Sequence, residues 1–171
     1  MKELDKEEIS ELCVNISRKY FTSTKLLVDG IPITIELGTV KMKMVFYIYI
    51  AGMIRGVWVL HCDEESLFID IIKKVYNKRF YRMSKAIYSI NEVCYGKDFA
   101  DKERKKYNAK YYLVASFGSS GRLAATLRKA EKVILVDSIE DKDFWDKTTV
   151  DFIEKHPEMF EDKRGRDGLR N

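Results

Sequence analysis

Apolar residues recur at helical spacing over the first twenty positions. Ile9, Leu12, Cys13, Ile16 and Tyr20 share one face and charged residues occupy the other, which predicts a helix over 4–20. Asp5 and Glu8, three positions apart, have the spacing of a capping box at its start. The period then changes from helical to alternating. Ile31 to Leu37 is rich in β-branched residues and ends at Gly38. From Lys41 to Ile50 the alternation places Met42, Met44, Phe46, Ile48 and Ile50 on a core-facing side. Lys41, Lys43, Val45, Tyr47 and Tyr49 fall on the opposite, mixed side. After Ala51-Gly52 the run Ile54 to His61 continues extended, so 31–61 reads as three strands with short connections, an antiparallel meander.

Asp63, Glu64 and Glu65 precede Phe68, Ile71, Ile72, Val75 and Tyr76. An acidic first turn that complements the helix dipole, followed by an apolar stripe, predicts a helix over 64–77. Helical character of weaker period continues to Lys110, giving a basic helical middle over 64–110. The runs YYLVASF, GSSG, RLAATLRKAEK and VILVD read as strand, turn, helix and strand over 111–137, a unit compatible with a short parallel crossover. A final acidic helix over 143–160 should stop near His156-Pro157, because the residue before proline disfavours the α region. The expected fold is a single α+β domain, an antiparallel meander sheet of about four to five strands packed by several helices.

Composition agrees with a packed core, since 46% of the 171 residues are hydrophobic and 34% are charged. No run approaches the ~20 apolar residues that span a bilayer, and the start MKELDKEEIS lacks the apolar stretch of an export signal. The expectation is a cytoplasmic protein with no membrane partner. Cys13, Cys62 and Cys94 are odd in number and show no metal-ligand spacing, so reduced thiols, no metal and no cofactor are expected.

The net charge of +4 conceals a segregation. Lys73 to Lys110 holds twelve basic and four acidic residues, a balance of +8. Glu131 to Asp162 holds eleven acidic residues and four lysines, a balance of −7, ahead of the basic tail KRGRDGLRN. The basic block is interleaved with tyrosines and phenylalanines, a mixture that grips phosphates and stacks bases. Lys102, Arg104, Lys105 and Lys106 are its candidate contacts. Amphipathic helices with tyrosines turned into the core would give the same pattern. In the acidic third, Glu140, Asp141, Asp143 and Asp146 could occupy a partner's nucleic-acid groove by presenting charge where phosphates would lie. Pairing of the two blocks within the fold, or across a homodimer, is the competing account.

The GSSGR turn offers a third chemistry. Ser119, Ser120, Gly121 and Arg122 lie where a strand feeds a helix N-terminus, a setting that suits an anion such as a phosphorylated small molecule. The P-loop pattern is absent, however, and a turn glycine with a serine N-cap explains the same residues. Catalytic constellations are wanting. His61 and Cys62 are adjacent and point to opposite faces of a strand. Asp137, Glu140 and Lys142 are too close together for a metal-nuclease site. The string YIYIAG lacks the spaced triplets of the GIY-YIG nucleases. No catalytic residues and no metal ligands are assigned, and a binding protein is expected over an enzyme.

The runs FYIYIAGMIRGVWVL (46–60) and SFGSSGRLAATLRKA (116–130), with the acidic-capped helix between them, resemble small accessory proteins carried by bacteriophages and prophages. Some such proteins inhibit host defence, as anti-CRISPR proteins do. The resemblance implies a binding protein that docks on a nucleic-acid-handling partner. The residues leave two alternatives open: direct nucleic-acid binding through the basic tyrosine-rich middle, and phosphate binding at the GSSGR turn.

Overall fold

The capping box at Asp5 forms as its spacing predicts. The Asp5 carboxylate accepts the Glu8 N–H at 2.8 Å, and the Glu8 carboxylate accepts the Asp5 N–H at 3.0 Å. After strand β1 (Lys2–Glu3) this cap opens α1 (Lys6–Ile16), which buries Ile9, Cys13 and Ile16. The computed structural model describes residues 1–18, 23–55, 69–137 and 139–161. Helix α1 is shorter than the expected 4–20: Leu4 lies before the cap and 17–18 form a turn, while Tyr20 falls outside the described residues.

The meander is present but starts one strand earlier than expected. Strands β2 (Thr24–Val28), β3 (Ile31–Val40) and β4 (Lys43–Ile50) pair antiparallel in sequence. Asp29 and Gly30 join the first two with φ of 51° and 80°, the double left-handed geometry of a type I′ hairpin that favours Asp-Gly. Lys41 and Met42 make the second two-residue turn with φ of 47° and 62°. A third such turn at Ala51-Gly52 is closed by reciprocal Ile50 and Met53 hydrogen bonds of 2.9 Å. Residues 54 and 55 lie in no strand, and the remainder of the strand expected to His61 is outside the described residues.

The helical middle also departs from expectation. Helix α2 (Ile69–Val75) ends before β5 (Asn77–Phe80), a strand where helix was expected; the predicted helix start at 64–68 lies outside the described residues. Helices α3 (Lys85–Tyr95) and α4 (Lys97–Ala109) follow, and the YYLVASF run divides into β6 (Tyr111–Val114) and β7 (Ser116–Phe117). Strand β6 pairs with β5 in a separate two-stranded sheet, whereas β7 joins β4. Helix α5 (Ser120–Leu127) then leads to β8 (Val133–Val136), which inserts between β1 and β2. The expected acidic helix is α6 (Lys142–Lys155) followed, after His156, by the single turn α7 (Pro157–Phe160).

The main sheet therefore has six strands in the order β1-β8-β2-β3-β4-β7, every neighbouring pair antiparallel. It follows that β7 and β8 run the same way but are separated by β4, β3 and β2. The parallel crossover envisaged from sequence is a span across the sheet rather than a pairing of neighbours. One sheet face buries Leu26, Val28, Ile33, Ile35, Phe46 and Ile48 in the same core as α1 and the Leu123, Ala124 and Leu127 face of α5. A smaller cluster unites Leu27 and Val136 with Trp145 of α6, over whose ring the Lys25 ammonium lies at 5.3 Å.

The β5-β6 ribbon and the α3-α4 hairpin form an arm leaving this core. The ribbon runs from the Asn77 and Val114 pair to the Phe80 and Tyr111 pair, where the chain passes to the helices. Helix α3 has no buried residue and α4 has only Ala100. The arm is held instead by ladder bonds and aromatic contacts, Tyr81 lying 5.6 Å from Tyr107 and 5.0 Å from Tyr112 between ring centroids.

Candidate nucleic-acid interface

Strand β5 with the residues just after it, and α5 with the turn that follows it, line one groove from two sides. On the ribbon side stand Asn77, Lys78, Arg79, Phe80, Arg82 and Tyr112. Facing them are Arg122, Ala125 and Thr126, which share one face of α5 at i, i+3 and i+4, and Lys129 in the turn after the helix. The groove between them encloses about 590 Å³ and is lined by five cations and no carboxylate among the described residues.

None of Lys78, Arg79, Arg82, Arg122 and Lys129 makes an ion pair with a described residue. The Lys78 ammonium sits 3.9 Å from the Tyr111 ring centroid and 5.0 Å from that of Phe80, a cation–π placement that holds it without cancelling its charge. The buried Arg79 Nε has no hydrogen-bond partner. That atom is closed to solvent, so only the remaining, part-exposed guanidinium of Arg79 can meet a phosphate oxygen from the groove. Asn77 anchors the base of the groove, its side-chain amide donating to the Ser116 carbonyl at 2.9 Å.

The residues expected from sequence are dispersed around this groove. Arg122 lines it. Ser119 is the N-cap of α5, its hydroxyl accepting the Arg122 N–H at 3.4 Å, and Ser120 is the first helical residue. Added Cβ atoms at Gly118 and Gly121 would meet nothing within 4 Å, so no close packing demands glycine at either position. Lys102, Arg104, Lys105 and Lys106 are exposed on α4, outside the groove. Arg104 is engaged there by Asp101 at 2.8 Å and by the Tyr88 ring at 4.5 Å. In the acidic third, Asp141 accepts the Met1 amino group at 2.6 Å and the Asp137 N–H at 3.1 Å. Those two bonds hold its carboxyl below the usual carboxylate range. Glu140, Asp143 and Asp146 are exposed.

Sequence reading missed Lys78, Arg79, Arg82 and Lys129 as a set. The first three were counted within the basic block, but their convergence with α5 depends on β5 being a strand, which the helical reading of 64–110 concealed. Among the described residues the two blocks make short-range ion pairs, Lys73 with Asp70, Arg104 with Asp101 and Glu158 with His156, and long-range ones, Lys74 with Asp29, Lys132 with Glu3 and Asp141 with the Met1 amino group. None of these pairs joins the basic block to the acidic one.

Among the described residues there is no cluster of histidine, cysteine and carboxylate side chains able to hold a metal ion, and no helix long and apolar enough to cross a membrane. Cys13 is buried and Cys94 exposed, both as free thiols, while the His61 to Glu65 group lies outside the described residues. No protein-family model, curated protein or solved structure matches the chain.

Proposed function

We propose that the protein binds nucleic acid, gripping the phosphate backbone in the groove between the β5-β6 ribbon and α5. The observation that carries this reading is a groove lined by five cations that, among the described residues, make no ion pair and share the lining with no carboxylate. Like charges held together repel, and a polyanion relieves that repulsion while releasing its own counterions. The arm adds lysines and arginines beside the groove, which extends the positive field along a backbone. Retarded migration of a labelled oligonucleotide tests the reading. Arg79→Ala and Lys129→Ala should each weaken the complex at low salt, and more strongly than Lys105→Glu with Lys106→Glu on α4. Equal binding by wild type and both groove variants would remove the groove from the account.

A second reading is favoured by α3. Ile87, Ile90 and Val93 are 49%, 61% and 85% exposed on one side of that helix, whereas Tyr88 turns to α4 through its hydroxyl bond to Asp101 at 3.0 Å. An apolar stripe left in water supports a protein partner. The sequence resemblance to phage accessory and anti-CRISPR proteins favours a nucleic-acid-handling effector as that partner. Ile90→Glu should abolish co-elution with such an effector nuclease and leave oligonucleotide affinity unchanged. A wild-type dimer that Ile90→Glu splits would assign the stripe to a second copy of the chain instead.

A further inference from the structure

We infer, resting on the nucleic-acid reading, that the groove accepts a single strand and stacks one of its bases on Phe80. The arm carries many aromatic rings, but most of its tyrosines contact one another or a neighbouring cation. Tyr81 packs against Tyr107 and Tyr112, and Tyr88 lies under Arg104. Phe80 differs because it lines the cationic groove and is still 55% exposed.

The position of that ring is set by its strand rather than by a core. Phe80 ends β5, pairs in register with Tyr111 and meets its ring at 6.2 Å and 64°. A phenylalanine left 55% exposed forgoes about half of its burial free energy, and its place among cations suits a partner that supplies negative charge and a flat apolar face together. A single strand supplies both within one nucleotide. A duplex presents phosphates to such a groove but keeps its base faces stacked inside, and an acidic peptide supplies charge without the face. Lys78, 5.0 Å from the Phe80 ring, is placed to meet a phosphate next to the stacked base.

Fluorescence anisotropy with a labelled thymidine dodecamer, a duplex of the same length and heparin separates this claim from the one it rests on. Wild type should bind the single strand more tightly than the duplex. Phe80→Ala should weaken single-strand binding by about tenfold while leaving heparin affinity unchanged, and Phe80→Trp should restore it. Arg79→Ala should weaken both ligands. If Phe80→Ala leaves the dodecamer affinity unchanged, lowers both ligands by the same factor, or acts on a protein that prefers duplex, the stacking role is overturned and the groove remains. If wild type binds neither the dodecamer nor heparin, the nucleic-acid reading falls and this inference falls with it. Unchanged thermal melting of Phe80→Ala establishes that any loss reflects the site and not the fold.

Discussion

Two residues show how local environment sets chemistry here. Burial pushes the Cys13 thiol up to about 12, against a small opposing effect of the Arg128 charge, so at neutral pH it is a core thiol without nucleophilic character. Cys94 is exposed on α3. A thiol reagent at pH 8 should therefore label Cys94 rapidly and Cys13 only on unfolding, and Cys94→Ser should remove the fast signal assigned to it by peptide mapping. Asp29 is a structural carboxylate. Its burial acts to raise the pKa, but the Lys132 N–H at 2.9 Å and the Lys74 ammonium at 3.3 Å prevail and hold it below its ordinary value. A depressed folded-state pKa contributes stability that is present above the unfolded value of about 4 and is lost as pH falls through the folded one. Asp29→Asn keeps a residue suited to the left-handed turn and removes the charge. Its thermal stability should fall less than that of wild type between neutral pH and acid, with the difference largest above about pH 4. Identical pH profiles would show that the ion pair adds nothing.

At the scale of elements, what was legible is what local spacing controls. The capping box, the stop at His156-Pro157 and the burial of Phe46, Ile48 and Ile50 along β4 appear as read, whereas Met42, expected on the core-facing side, is exposed in the turn before that strand. The Asp29-Gly30 pair carried a hairpin signal of its own that the reading from Ile31 onward passed over. Other features could not be read locally. Leu113, Ala115 and Phe117 are buried at period two, so nothing in the alternation marks where the chain leaves one sheet for the other. The bend at Ala115 does so, its carbonyl accepting the Ile48 N–H at 2.8 Å. Strand β5 is short and basic, and only its pairing with β6 makes it a strand. Two substitutions test the turns. Lys41→Asn with Met42→Gly places turn-compatible residues at two positive-φ positions and should raise stability by about 0.5–1 kcal/mol in urea denaturation. Gly121→Ala enters open space at the start of α5 and should stabilise by about 0.5 kcal/mol without changing oligonucleotide affinity. A loss of affinity in Gly121→Ala would move the anion contact from the groove to the turn.

Over the whole molecule the question raised by the sequence was whether its basic and acidic blocks cancel. Among the described residues no ion pair joins one block to the other. The blocks still meet at one place, where Lys74 lines a groove with Asp151 and Lys155. The centre of gravity of the positive charge moves: α4 carries the densest basic run, yet the cations that share a groove are those of β5 and α5 and of the segments just after them, from residues 78 to 129. Convergence across that distance is a property of topology, which is why composition foretold a positive surface and not its shape. The affinity of wild type for the dodecamer, measured as a function of sodium chloride from 50 to 300 mM, tests this centre most directly. Five groove cations predict a slope of log K on log salt of about −3.5, and Arg79→Ala with Arg122→Ala should bring it toward about −2 with weaker binding at every salt concentration. No measurable binding by wild type at 50 mM salt, or a slope that the double variant leaves unchanged, would contradict the account.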